Sequence, residues 1–112
     1  VKKIVIKLQV EGIHYWPDCP IEEVSYLQNP HRHIFHIRIE REVEHNDRDI
    51  EIIEFKHLVT EYLEHLYWSF TYDCLDFKTM SCEDIAENLL ETFNAQLVEV
   101  LEDNENGAII TI

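Results

Sequence analysis

NPHRHIFHIRIE, residues 29–40, places three of the chain's seven histidines within six positions and runs straight into alternating apolar residues. His33, Phe35, Ile37, Ile39 and Val43 share one face of this stretch, and His36, Arg38, Glu40 and Glu42 the other. Successive side chains of a pleated strand point to opposite sides, so a period of two predicts a strand with one buried face over about His33 to Val43. The opening VKKIVIKLQV repeats the pattern, with Ile4, Ile6, Leu8 and Val10 against Lys3, Lys7, Gln9 and Glu11.

After the second strand, EHNDRD (44–49) reads as a turn. IEIIEF (50–55) then reads as a short third strand, paired with the second through the turn chemistry of Asn46 and Asp47. Phe55, Leu58, Val59, Tyr62, Leu63 and Leu66 recur at helical spacing and leave Glu61 and Glu64 on the wet side. Ser81, with Asp84 three residues on, announces a second helix whose stripe is Ile85, Ala86, Leu89, Leu90 and Phe93. QLVEVLED, a turn at NENG and AIITI close the chain as a hairpin. The expectation is one α+β domain over residues 1–112, a four- to five-stranded antiparallel sheet with two helices on one face. The uncovered face, lined by Ile50, Ile52 or Ile110, would favour association.

Nine Lys and Arg against twenty-three Asp and Glu give a formal charge of −14, which repels phosphate backbones and anionic membrane surfaces. Neither nucleic acid nor a membrane is an expected partner. No apolar run reaches the roughly 18–20 residues of a membrane span, and the first ten residues lack a signal-peptide cleavage site. Cys19, Cys74 and Cys82 are odd in number and form no CxxC pair, which suits a reducing, cytoplasmic setting.

Strand parity places the histidines. Past Val10 the apolar face of the first strand reaches Gly12 and then His14; back from Phe35 the apolar face of the second reaches His33 and His31. If the two strands pair antiparallel across the loop from Tyr15 to Pro30, these three imidazoles meet at one edge of the sheet. A His-x-His pair alone is most often solvated or satisfied by backbone. A third histidine on the facing strand turns the reading towards a metal, and a three-histidine set leaves an open fourth position on Zn²⁺. His36 falls on the polar face.

EGIHYW, NPHRHIFHIRIE, IEIIEF, MSCEDIAENL and VEVLED together resemble, in order and spacing, the 6-pyruvoyl- and 6-carboxy-tetrahydropterin synthase family, over nearly the whole chain. The resemblance implies the tunnelling fold, with sheets joined into a homo-oligomeric ring and sites at subunit interfaces. It implies zinc on His14, His31 and His33, with Arg32 where the family has glycine. Ser81-Cys82-Glu83 resembles the family's Thr-x-Glu, and Glu102 matches the glutamate that anchors the cyclic amidine edge of a pterin or purine. Glu102 also shares the face of Val98 and Val100, where a carboxylate needs a partner.

The chain departs from the family where the chemistry is done. Ser25, Tyr26 and Leu27 stand where the family carries its proton-abstracting cysteine. Cys19, Glu22 and Glu23, in the same loop, are the substitute candidates for the base. Leu63-Glu64-His65 is the nearest match to the family's Leu-Asp-His relay, and it comes too early, with Glu64 opposite the apolar stripe and His65 at its flank. Two functions follow: a zinc-dependent lyase acting on a dihydroneopterin triphosphate-like pterin, or a zinc protein that binds a pterin, purine or nucleotide without turnover. Lys2, Arg32 or Arg38 would have to offset the acidic charge for a triphosphate to bind.

Overall fold

The computed structural model describes residues 1–112. In chain order its elements are β1 (Lys2–His14), β2 (His31–Val43), α1 (Ile52–Tyr67), β3 (Trp68–Ser69), β4 (Cys74–Asp76), α2 (Cys82–Thr92), β5 (Leu97–Glu102) and β6 (Asn106–Thr111). A 3₁₀ segment, Glu22–Gln28, lies in the first loop. β1 and β2 form where the alternation runs longest, and they pair antiparallel throughout, from Lys2 opposite Val43 to His14 opposite His31. A slip of one residue would turn every apolar side chain to the wrong face, so the pattern itself sets this register. β5 pairs antiparallel with the other side of β2, and β6 with β5.

The fold is α+β, as expected, but the sheet has six strands in the order β3-β4-β1-β2-β5-β6, and it is mixed because β4 runs parallel to β1. The two extra strands come from YWSFTYDCLDF, expected to be an aromatic loop or subunit contact. Strands of two and three residues are too short to show a period, which is why the pattern does not reveal them.

IEIIEF is not a strand. Glu51 accepts hydrogen bonds from the backbone N–H groups of Ile53 and Glu54, capping α1 and committing the segment to a helix. Phe55, Val59 and Leu63 then repeat every four residues and are buried, whereas Leu58 and Leu66, expected in the same stripe, face solvent. At α2 the predicted cap is present as a reciprocal box between Ser81 and Asp84.

Both helices cover one face. Phe55, Val59 and Leu63 of α1 and Ile85, Ala86, Leu89 and Leu90 of α2 belong to the same core as Ile6, Leu8, Phe35, Ile37, Ile39, Val98 and Val100 of the sheet. Ile50 and Ile110, expected on a bare face, pack against this core, and Ile52 lies exposed on the first turn of α1. The opposite face is largely polar: Lys3 pairs with Glu40 at 3.4 Å, and Arg38 pairs with Glu40 as well. No helix is long and apolar enough to cross a membrane.

The final turn sits slightly earlier than NENG. Asp103 and Asn104 take φ of 55° and 60°, a left-handed conformation that short Asn and Asp side chains tolerate, and Asn106 and Gly107 already belong to β6.

Candidate metal centre

Three strand ends meet at the edge of the sheet beneath the start of α2. His14 is the last residue of β1, His31 the first of β2 directly opposite it, and His33 faces Gly12. Glu102, the last residue of β5, faces Phe35. Parity puts all four side chains on the helix-covered side, and the imidazole centroids lie 4.6, 5.4 and 5.1 Å apart. Beneath them Phe35 and Phe77 pack edge to face at 5.0 Å. A Cβ on Gly12 would come within 2.8 Å of the Phe77 ring, so the glycine makes room for that aromatic floor.

Each imidazole is tied through Nδ1: to the Met80 carbonyl at 2.9 Å for His14, to the Asn29 carbonyl at 2.8 Å for His31, and to Asp103 Oδ2 at 2.7 Å for His33. A carbonyl or carboxylate takes the proton on Nδ1, which leaves the lone pair on Nε2. β1 is extended past His14 by Tyr15 N–H to the Lys78 carbonyl and by Phe77 N–H to the Ile13 carbonyl, and this brings Met80 to His14. Asp103 also accepts from Ile34 N–H at 3.0 Å, which holds its carboxylate against His33.

Glu102 Oε2 lies 2.7 Å from His14 Nε2 and 3.6 Å from His33 Nε2. Yet both nitrogens are buried without a hydrogen bond of acceptable geometry. A buried polar atom left so costs about 1–3 kcal/mol. The donor atoms of His14, His31, His33 and Glu102 all fall within 4.8 Å of one another, and this cluster can hold a metal ion. Two ligands of one zinc, each at about 2.1 Å, sit no more than roughly 4.2 Å apart, so small side-chain rotations bring the four together.

The charges reinforce one another. Burial alone would lower the His14 pKa, but Glu102 and the Met80 carbonyl together raise it above the ordinary imidazole value. Burial, followed by the neighbouring imidazoles, lowers that of His31. His14 holds Glu102 below the usual carboxylate range despite burial, and His33 does the same for Asp103.

Above the cluster opens a cavity of about 570 Å³, within the size range of small-molecule sites. His14, His31 and Glu102 lie at its floor, Tyr15 and Trp16 on one wall, and Thr79 to Asp84 on another. Ser81 and Glu83, singled out in the sequence, therefore do reach it. Cys19, Glu22, Glu23 and His65 do not line it. Cys19 is buried in its own loop, with its thiol against the Ile21 and Val24 carbonyls. Glu22 and Glu23 are exposed on the 3₁₀ segment, and His65 is exposed on α1. None of the four is brought to the histidines.

The cavity holds one thiol that sequence reasoning passed over. Cys82, the first helical residue after Ser81, lines the wall, and burial, together with Glu102 and Glu83, pushes its pKa up to about 12. Its place inside the Ser81-Cys82-Glu83 match is the only sequence signal for it. Asp103 was also missed, although it directly follows Glu102. The Met80 and Asn29 contacts are backbone and leave no trace in side-chain identity.

No lysine or arginine lines the cavity. Arg32 is turned to the other face, where it meets Glu11 at 3.5 Å and the Tyr72 carbonyl at 2.9 Å, and Lys2 lies at the opposite end of β1. No protein-family model matches the chain, and no curated protein is detectably similar to it.

Proposed function

We propose that this chain is a tetrahydropterin synthase-like zinc protein whose cavity takes a pterin- or purine-like ring without turning over dihydroneopterin triphosphate. The observation that carries the reading is the set of three Nδ1 tethers, which turn the Nε2 atoms of His14, His31 and His33 towards one another beside the floor of the cavity that His14 and His31 line. A set of imidazole nitrogens with a carboxylate suits zinc. When bound, the ion supplies a Lewis-acidic contact for a ring oxygen or nitrogen. Tyr15 and Trp16 offer an aromatic wall, and Glu83 and Glu102 offer carboxylates to ring N–H groups.

Two features favour binding over turnover. The lyase reaction needs a base within hydrogen-bond reach of the substrate, and Cys19, Glu22, Glu23 and His65 stand away from the cavity. Asp84 is committed to the helix cap and Cys82 keeps its proton, so neither replaces them. A triphosphate would also face three carboxylates and no lysine or arginine in the lining.

The same reading makes the chain a homo-oligomer with cavities at subunit boundaries, supported by the exposed Trp68 and Phe70 at β3, the edge strand of the sheet, whose outer side pairs with no strand. Its three free cysteines agree with a cytoplasmic location.

Protein purified without chelators should carry about one zinc per chain and bind a free pterin or purine, with Trp16 fluorescence as one reporter. Incubation with dihydroneopterin triphosphate should leave it unchanged. A chain that takes up no added zinc, or binds neither ring, overturns the reading, and robust conversion of the triphosphate overturns the absence of turnover.

A further inference from the structure

Glu102 lies at the cavity floor, among the histidine nitrogens. Its Oε2 is closer to His14 Nε2, at 2.7 Å, than the imidazole centroids are to one another. Its backbone is held between two strands, opposite Phe35 on one side and Asn106 on the other. Neither contact of its carboxylate with the His14 and His33 nitrogens has hydrogen-bond geometry, so the arrangement has the form of two lone-pair donors and a carboxylate around one point.

We infer that Glu102 is the fourth ligand of the metal, so that the resting centre is closed by three histidines and a carboxylate, and that a ligand atom reaches the ion by displacing Glu102. The inference rests on the reading of this cluster as a metal centre. Four protein ligands complete a tetrahedral zinc, whereas three leave a position open. A carboxylate also offsets one of the two positive charges that neutral imidazoles leave uncompensated.

Glu102 is the ligand suited to leave. The histidines are each pinned by a second contact through Nδ1. Beyond the imidazoles, the Glu102 carboxylate makes no further side-chain or backbone hydrogen bond that would pin it, and it faces the cavity, which His33 does not. A ligand that offers a lone pair to the metal and N–H groups to the released carboxylate would replace both sets of contacts at once.

Cobalt loading of the metal-free chain tests this, because the visible bands of Co²⁺ report coordination number and added ligands. The wild type should show the intense bands of a four-coordinate centre and be indifferent to azide. Glu102→Ala and the shape-conserving Glu102→Gln should still bind cobalt through the three histidines but more weakly than the wild type, and azide should shift their bands. X-ray absorption on the zinc-loaded wild type, which needs no variant, should show four light-atom neighbours, three of them imidazoles. Variants that bind cobalt as tightly as the wild type, or a wild type that takes azide as readily as they do, overturn the fourth-ligand assignment and leave the metal centre standing. A wild type that binds neither cobalt nor zinc removes the centre itself.

Discussion

Asp103→Asn isolates the orientation of one imidazole of the candidate metal centre. Asp103 uses both oxygens: Oδ2 accepts from His33 Nδ1 at 2.7 Å, and Oδ1 accepts from Ile34 N–H at 3.0 Å. Asparagine keeps the shape and one acceptor but sets an NH₂ group against one of two N–H donors, so either His33 or Ile34 loses its partner. The negative charge that makes the imidazole a stronger ligand disappears with it. Losses of this kind lower metal affinity by about 10- to 100-fold. The fold should survive, because the backbone bond from Asp103 N–H to the Ile34 carbonyl, at 2.8 Å, does not involve the side chain. Competition for zinc against a chromophoric chelator measures the affinity, and thermal melts with and without metal separate it from stability. The metal-free melts of variant and wild type should nearly coincide, and the zinc-loaded melt of the variant should fall by several degrees. Zinc affinity within about twofold of the wild type would refute the assignment of Asp103 as the residue that orients His33.

Gly12→Ala should destabilise the metal-free chain by about 1–3 kcal/mol in chemical denaturation, because the new methyl meets the Phe77 ring at 2.8 Å and the buried Phe35 ring at 3.1 Å. In the metal-free chain, NMR titration should find His14 losing its proton above the ordinary imidazole value and His31 below it. The sign for metal binding follows: His14 holds its proton to the higher pH, so zinc affinity falls as pH drops, and His14 competes first. For the metal-free fold the His14 contribution runs the other way, full below the ordinary imidazole value and lost as pH rises through the raised one.

The long strands were legible, although β1 starts at Lys2 and β2 at His31, each two residues earlier than the alternation shows. Thirteen-residue alternations in β1 and β2 leave one register that buries both apolar faces, and His14 opposite His31 follows from it. Glu102 was legible for the same reason, by sharing parity with Val98 and Val100. IEIIEF misled because a short apolar run does not separate strand from helix; Glu51 decides by capping, and its effect appears only once the chain has turned. The 3₁₀ loop hid its geometry more completely. Whether Cys19 faces the histidines or its own loop depends on contacts with Ile21 and Val24 that have no periodicity to reveal them. The outer contacts of the histidines were illegible in another way, since two of the three are backbone carbonyls.

Those carbonyls also explain why the centre stands where it does. The four side chains of the cluster come from the end of β1, the start of β2 and the end of β5, and the Nδ1 partners come from Asn29 just before β2, Asp103 just after β5 and Met80 in the connection between β4 and α2. A metal ion bound here joins parts of the chain that regular secondary structure leaves separate. The apolar core does not depend on it: Ile6, Leu8, Ile37, Ile39, Val98 and Val100 lie along the strands away from the ligands and pack under α1 and α2. Folding can therefore build the sheet first and present the histidines as a consequence of its register. A metal ion bound here would then satisfy the two buried nitrogens that the register alone leaves without a well-formed hydrogen bond.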